Sequence, residues 1–307
     1  YKMNTEQNAS LTLNGIKVPC SMVGKLTVAD KDVYLGRQLS EEGYLLLRDV
    51  HDPDEVAAAR TEVLQRLAEV GEINDPFDDG IASGTSYRRN SYPKKEDLGR
   101  FWRSVSEGPA VRAVINGPRI TNVMSKLFQE PATHFTFAWL RTMIKGRASP
   151  LHIDHPYMNR GSKRLVTCWT PFSSISMSNG PLYILEGSHN WSDIREQFEG
   201  HDVDLDPSRP GHIEESAVAL AKRKNSRILT SEFGLGDCLI FGMFTVHGSF
   251  DNNSKTGAVR ISCDTRFQPA LDPMDERFSG LNPPAHNALG YACLSASLPL
   301  TETAIRR

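Results

Sequence analysis

The spacing of apolar positions changes character once along this chain, near residue 130. Before that point most periodic stretches have helical spacing. GYLLLRDV at 43–50 is an exception, a short apolar run that reads as a buried strand. A helix is predicted next, with Asp52 as its cap, Pro53 in its first turn and Glu55 closing a capping box. Val56, Ala59, Val63, Leu67 and Val70 recur at helical intervals up to Gly71. Residues 72–104, rich in Gly, Asp, Ser and Pro, read as one long loop, of the kind that carries function in compact domains. Helical spacing returns over 107–129, broken near Gly117 and Pro118.

From residue 132 the runs are short and rich in β-branched and aromatic residues. HFTFAWLRTMI, RLVTCWTPF, PLYIL, SRILT, DCLIFGMF and AVRISCDTRF are separated by turn residues such as SNG and GLG. This predicts a mainly β fold with flanking helices, an antiparallel sandwich or jelly roll. A charged insertion at 192–225 interrupts it, helical from about 213 to 224. No linker composition divides the chain, so one domain is expected over 1–307. Its parts are a helical and loop region at 1–130, a β core at 131–270 and a C-terminal extension at 271–307.

Composition narrows the function classes. Charged residues make up 23% and the formal net charge is -2, so neither nucleic acid nor an anionic membrane is an expected partner. No apolar run is long enough to cross a bilayer, and no secretory leader pattern opens the residues given. The five cysteines, Cys20, Cys168, Cys238, Cys263 and Cys293, contain no CxxC pair. They read as free thiols in a reducing compartment, which places the protein in the cytoplasm.

The candidate chemistry begins at His152-Ile153-Asp154. On extended backbone, side chains two apart point the same way, so this pair can grip one ion from one side. His212-Ile213-Glu214 has the same spelling, but it is expected to open the insertion helix, where residues two apart diverge. A third ligand must come from a neighbouring strand, and His247, at the end of the run CLIFGMFTV, qualifies. Two histidines and one carboxylate form the facial set of non-haem iron(II) oxygenases, with zinc as the chief competitor. After His247, the strand AVRISCDTRF alternates Val259, Ile261, Cys263, Thr265 and Phe267 with Arg260, Ser262, Asp264 and Arg266. Its polar face is either a solvated outer face or the inside of a barrel, where an arginine could bind a carboxylate bidentately.

Taken together and in order, PLHIDH at 150–155, TCWTP at 167–171, NGPLYILEGSHNW at 179–191, GDCLIF at 236–241, HGSFDN at 247–252 and RISCDTRFQP at 260–269 resemble the phytanoyl-CoA dioxygenase family of Fe(II)/2-oxoglutarate oxygenases. The resemblance implies a double-stranded β-helix (a jelly-roll, cupin-like core) with the metal at its mouth. It implies His152, Asp154 and His247 as iron ligands, Arg260 and Ser249 at the distal carboxylate of 2-oxoglutarate, and Trp169 beside the cosubstrate. It implies consumption of O2 and release of succinate and CO2 as a small-molecule C–H bond is oxidised, with hydroxylation, desaturation and cyclisation all open. In related halogenases a small residue leaves room for halide, so a carboxylate at Asp154 points away from halogenation. His189, in GSHNW, falls on a structural turn of the family. Arg260 stands thirteen residues after His247, further than the family usually shows. The longer turn NNSKTG accounts for this, and Arg266 remains the alternative anchor. A natural-product intermediate is an expected substrate. The rival readings are a metal-dependent hydrolase or isomerase on a cupin-type barrel, and a non-catalytic ligand-binding barrel.

Overall fold

The computed structural model describes residues 11–30 and 32–303. The start of the chain, where no leader was expected, therefore lies partly outside the described residues. In chain order the elements are the two-residue strands β1 (Thr12–Leu13) and β2 (Ile16–Lys17), β3 (Val23–Lys25), α1 (Leu35–Glu42), β4 (Tyr44–Leu47) and α2 (Pro53–Ala68). Then come the short α3 (Arg88–Ser91), α4 (Lys95–Ser106), α5 (Pro109–Ile115) and α6 (Pro118–Phe128). The β region holds β5 (Ala132–His134), β6 (Trp139–Met143), β7 (Val166–Pro171) and β8 (Leu182–Leu185), followed by α7 (Ser192–Phe198) and α8 (Ala217–Arg223). It closes with β9 (Ile228–Thr230), β10 (Cys238–Gly242), β11 (His247–Ser249) and β12 (Arg260–Pro269).

Two sheets face each other. The larger runs β4-β10-β7-β12-β5, with β6 also paired to β12, and the smaller runs β11-β8-β9-β3. Pairing is antiparallel except between β3 and β9. This is the jelly roll expected from the short alternating runs.

Side-chain alternation explains the layers. Tyr44, Leu46, Trp169, Leu182, Ile184, Leu229, Leu239 and Phe241 pack between the sheets. The opposite faces of the same strands present Leu45, Leu47, Val166, Cys168, Ile240 and Phe267 to Ile120, Met124 and Leu127 of α6. Leu140, Ile261 and Cys263 on β6 and β12 meet a second helical layer from α2, α4 and α5, including Val63, Trp102 and Val114. Both faces of the large sheet are therefore dry, and its strands carry few exposed polar positions.

Several local expectations need correction. Residues 72–104 are not one loop, because α4 occupies Lys95–Ser106 and buries Leu98, Phe101, Trp102 and Val105 on one face. Asp52 does cap α2, accepting from the Asp54 amide at 3.0 Å. Glu55 closes no capping box and lies 3.8 Å from Arg119. The insertion contains α7 as well as α8, and α8 starts only at Ala217, with Ser216 as its cap. Arg88 is fully buried against Glu72, and Arg89 pairs with Glu302 at 2.6 Å. Among the described residues no helix is long and apolar enough to cross a membrane. All five cysteines are free, with Cys168, Cys238 and Cys263 buried as expected and Cys20 exposed.

Candidate active site

The strand β12 sets the site's axis. Its register places Ser262 opposite Arg141 on β6 and Pro171 on β7, and Asp264 opposite Trp139 and Trp169. Arg266 stands opposite Thr167. Directly opposed residues share a face, so all of these point between the sheets. The polar face of β12 is thus the barrel interior and not a solvated surface: Arg260 is 2% exposed and Arg266 1%.

His152, Asp154 and His247 converge at one end of this interior. One donor atom from each lies within 4.8 Å of the other two, and all three residues are buried. Among the described residues no other group of this kind is present. His152 pairs with His247 as an isolated antiparallel bridge, and their rings are 4.2 Å apart. His152 Nδ1 lies 2.8 Å from the Pro150 carbonyl, and His247 Nδ1 lies 2.9 Å from the Thr245 carbonyl. A carbonyl only accepts, so each Nδ1 carries the proton and each Nε2 lone pair is left for a metal. Nε2 of His152 and of His247 sit 3.6 and 3.9 Å from the same oxygen of Asp154, Oδ1. Asp154 Oδ2 accepts from Arg266 Nη2 at 3.0 Å and from the Thr167 hydroxyl.

The electrostatics agree with this donor set. Burial, with His247 adjacent, pushes His152 down to about 3, and burial also lowers His247. Both imidazoles are neutral at ordinary pH, as metal ligation requires. Burial opposes the charge on Asp154, but the Arg266 guanidinium and the Thr167 hydroxyl outweigh it and hold the carboxyl well below its usual range. Two neutral imidazoles and one oriented carboxylate fit a divalent ion with open positions.

A cleft next to the triad is lined by Arg141, Trp169, Ser249, Arg260 and Asp264 together with His152 and His247. The expected cosubstrate residues are thus brought together around the ligands. Arg260 Nη1 donates to the Gly180 carbonyl at 2.6 Å, while its Nε and the Ser262 hydroxyl, on the same strand face, are buried without partners. Only glycine fits easily at position 180, because its φ is +68° and a Cβ there would fall 2.7 Å from the Phe250 carbonyl oxygen. Ser249 Oγ accepts from the Ser149 amide at 2.7 Å, which leaves its proton free to donate. Burial, with Arg141 nearby, lowers Arg260 to about 10, so it stays a cation at neutral pH. Arg266 does not line the cleft and is engaged with Asp154.

Sequence reading missed Arg141, Thr167 and Asp264. Arg141 donates from Nε to Asp264 at 2.6 Å and lines the cleft. A single charge inside the apolar run HFTFAWLRTMI was the available signal. His212 is exposed on extended backbone that pairs with His152, and it joins no ligand set. His189 stands apart from the triad, 3.2 Å from the Ser40 carbonyl.

The segment after Asp154, the insertion and the C-terminal extension meet beside the metal end. Tyr157 sets its ring edge-on to His152 at 6.2 Å and to His286 at 5.9 Å. His286 Nδ1 is 3.1 Å from Asp204, and Arg277 pairs with Asp204 at 2.7 Å. Arg160 pairs with Asp202 at 2.6 Å, which ties the first segment to the second.

A jelly-roll barrel with a His-Asp-His facial set beside an arginine-lined cleft defines the class of mononuclear metal oxygenases. The chain belongs to the phytanoyl-CoA dioxygenase (PhyH) family, whose model matches residues 39–261. It is 28% identical over 255 residues to 1-deoxypentalenic acid 11-beta-hydroxylase of Streptomyces exfoliatus, covering 77% of this chain and 81% of that protein. It is 24% identical over 238 residues to the dioxygenase aneA of Aspergillus aculeatus, covering 72% and 67%. Two similar solved structures share the fold. EctD from S. alaskensis superposes with a TM-score of 0.53 at 18% identity over 84% of this chain and 88% of its own. The carbocyclase SnoK from nogalamycin biosynthesis gives 0.52 at 18% over 81% and 88%.

Proposed function

We propose that this dioxygenase uses iron(II) and 2-oxoglutarate to hydroxylate a C–H bond of a small organic molecule, with His152, Asp154 and His247 as the metal ligands. The observation that carries the reading is the orientation of the triad. Both imidazoles keep their Nδ1 protons on backbone carbonyls, and Asp154 keeps one oxygen occupied by Arg266 and Thr167. One nitrogen, one nitrogen and one oxygen are left facing a common point.

When bound, the metal would activate O2, the oxidant, with 2-oxoglutarate as co-reductant: one oxygen atom goes to succinate as CO2 is lost, and the other goes to the substrate C–H bond. The chain's own residues bind, orient and exclude. Arg260 is a buried cation with an unpartnered Nε, suited to the distal carboxylate of a diacid. Ser249 and Trp169 line the same cleft. Thr167 and Arg266 hold Asp154, and Pro150 and Thr245 hold the histidine tautomers. Tyr157 sets its ring edge-on to His152. A metal-dependent hydrolase or isomerase would have no use for a buried guanidinium and a hydroxyl lining the cleft beside the triad.

The relatives named as hydroxylases of 1-deoxypentalenic acid favour a natural-product intermediate as substrate. The test is anaerobic reconstitution with iron(II) or zinc, followed by assay of succinate release against a panel of such acids. Iron-dependent, substrate-stimulated succinate release supports the reading. Turnover with zinc, or turnover indifferent to 2-oxoglutarate, refutes it.

A further inference from the structure

Arg266 differs from Arg88, the other deeply buried arginine that does not line the cleft. Arg88 is equally buried, yet it donates to the carbonyls of Ala296, Ser297 and Leu298 and pairs with Glu72. Arg266, 1% exposed, makes one hydrogen bond, to Asp154 Oδ2 at 3.0 Å. Its Nε and Nη1 have no hydrogen-bond partner, and its nearest other carboxylate, Asp264, is 4.0 Å away. The guanidinium lies over the Trp139 ring, 4.2 Å from its centre. A buried cation with one acceptor costs stability, because its desolvation is poorly offset. An arginine serving only the fold would be better satisfied, so the position is explained by what Arg266 does to Asp154.

We propose that Arg266 is a positioning residue that, with Thr167 and on the Trp139 platform, restricts Asp154 to one-oxygen ligation of the metal. The inference rests on the triad being the metal site. Geometry gives it content. Thr167 and Arg266 stand opposite each other on paired strands β7 and β12, and both reach the same carboxylate oxygen. A carboxylate free to rotate can bind a metal through both oxygens and fill a further position. Three positions must stay open, two for a chelating 2-oxo acid and one for dioxygen. Holding Oδ2 away from the ion keeps them open. Arg266 then acts through Asp154, while Arg260 acts on the cosubstrate directly, and the two arginines of one strand face have separate roles.

The test is binding without turnover. Mn(II) is titrated into metal-free wild type, Arg266→Met, Thr167→Val, Arg260→Met and His247→Ala. 2-Oxoglutarate is then titrated into each Mn(II)-saturated protein. Side chains that orient a metal ligand typically set metal affinity by roughly 10–100-fold. Arg266→Met should weaken Mn(II) by that amount and should also weaken 2-oxoglutarate at saturating metal, because the released Oδ2 competes for a position the chelate needs. Thr167→Val, nearly isosteric and safe for folding, should weaken Mn(II) several-fold in the same direction. Arg260→Met should leave Mn(II) affinity unchanged and weaken 2-oxoglutarate alone. Wild-type Mn(II) affinity in Arg266→Met, or in Thr167→Val if the first variant does not fold, overturns the proposal. So does loss of 2-oxoglutarate binding alone in Arg266→Met. If His247→Ala also binds Mn(II) like wild type, the triad itself is not the site and the functional reading fails with it.

Discussion

His152 and His247 exchange a reciprocal pair of backbone hydrogen bonds, His152 N to His247 O at 2.9 Å and His247 N to His152 O at 3.0 Å. Two imidazoles far apart in the chain are thereby fixed side by side by main chain alone. The metal's two nitrogen donors are therefore preorganised before any ion arrives. Replacing either ring with Ala should remove metal binding without unfolding the barrel, because the backbone pair survives the substitution. Circular dichroism and Mn(II) titration of His152→Ala and His247→Ala check this. A native spectrum with binding lost is the expected result.

Arg260 should set cosubstrate affinity. Truncating one partner of a buried charge pair costs about 2 kcal/mol or more, roughly 30-fold in affinity. Arg260→Met should raise KM for 2-oxoglutarate by at least that factor and leave the KM of the oxidised substrate nearly unchanged. Ser249→Ala removes one hydroxyl donor and should cost about 1 kcal/mol. Steady-state kinetics with each substrate varied in turn separates the two effects.

Glu72 and Arg88 form a buried pair that joins the turn after α2 to the C-terminal extension. Glu72 also accepts from the Leu300 amide at 3.3 Å and from the Ser86 hydroxyl at 2.6 Å. The Arg88 guanidinium stacks over Phe101 and Trp102. Removing one partner leaves an uncompensated buried charge, so Arg88→Met should destabilise by about 3–5 kcal/mol. The double variant with Glu72→Gln should recover part of that loss. Urea unfolding midpoints of the three proteins test it.

Stability should fall on acidification through the histidines. Burial, then Arg119, lowers His51 from 6.5 to about 4 in the fold. Between those values the unfolded chain binds the proton and the folded chain does not. Folding is therefore favoured as pH rises through this window and loses stability as pH falls through it, by up to about 3 kcal/mol from this group. Unfolding midpoints of metal-free protein between pH 4 and 7 should drop towards acid, and less steeply in His51→Gln. Equal slopes would show that His51 contributes nothing to the acid sensitivity.

The β architecture was legible because short runs rich in β-branched and aromatic residues, separated by turn residues, recur from residue 132 onward, and recognising such runs needs no long-range information. The triad was legible for a related reason: a His-x-Asp on extended backbone converges by local geometry. What escaped depended on register. Nothing in the sequence says that Thr167 stands opposite Arg266, or that Arg141 stands opposite Ser262, until the strands are paired. The rank of Arg260 over Arg266 came from resemblance alone, and it is the cleft lining that separates them. Helix α4 was hidden by its flanks. SYPKK precedes it and EGP follows, so its four apolar positions read as scattered residues in a loop. The burial of Arg88 was not legible, because a charged residue's burial depends on its partner, and Glu72 lies across a loop from it.

If His152, Asp154 and His247 hold one iron(II) ion that 2-oxoglutarate chelates, the chelate has a visible charge-transfer absorbance that reports it. The measurement is anaerobic addition of iron(II) to metal-free protein in the presence of 2-oxoglutarate. A band that saturates at one equivalent of iron in wild type, and is absent from Asp154→Ala and His247→Ala, is expected. A full-strength band in either variant, or none in the folded wild-type protein, would contradict the assignment.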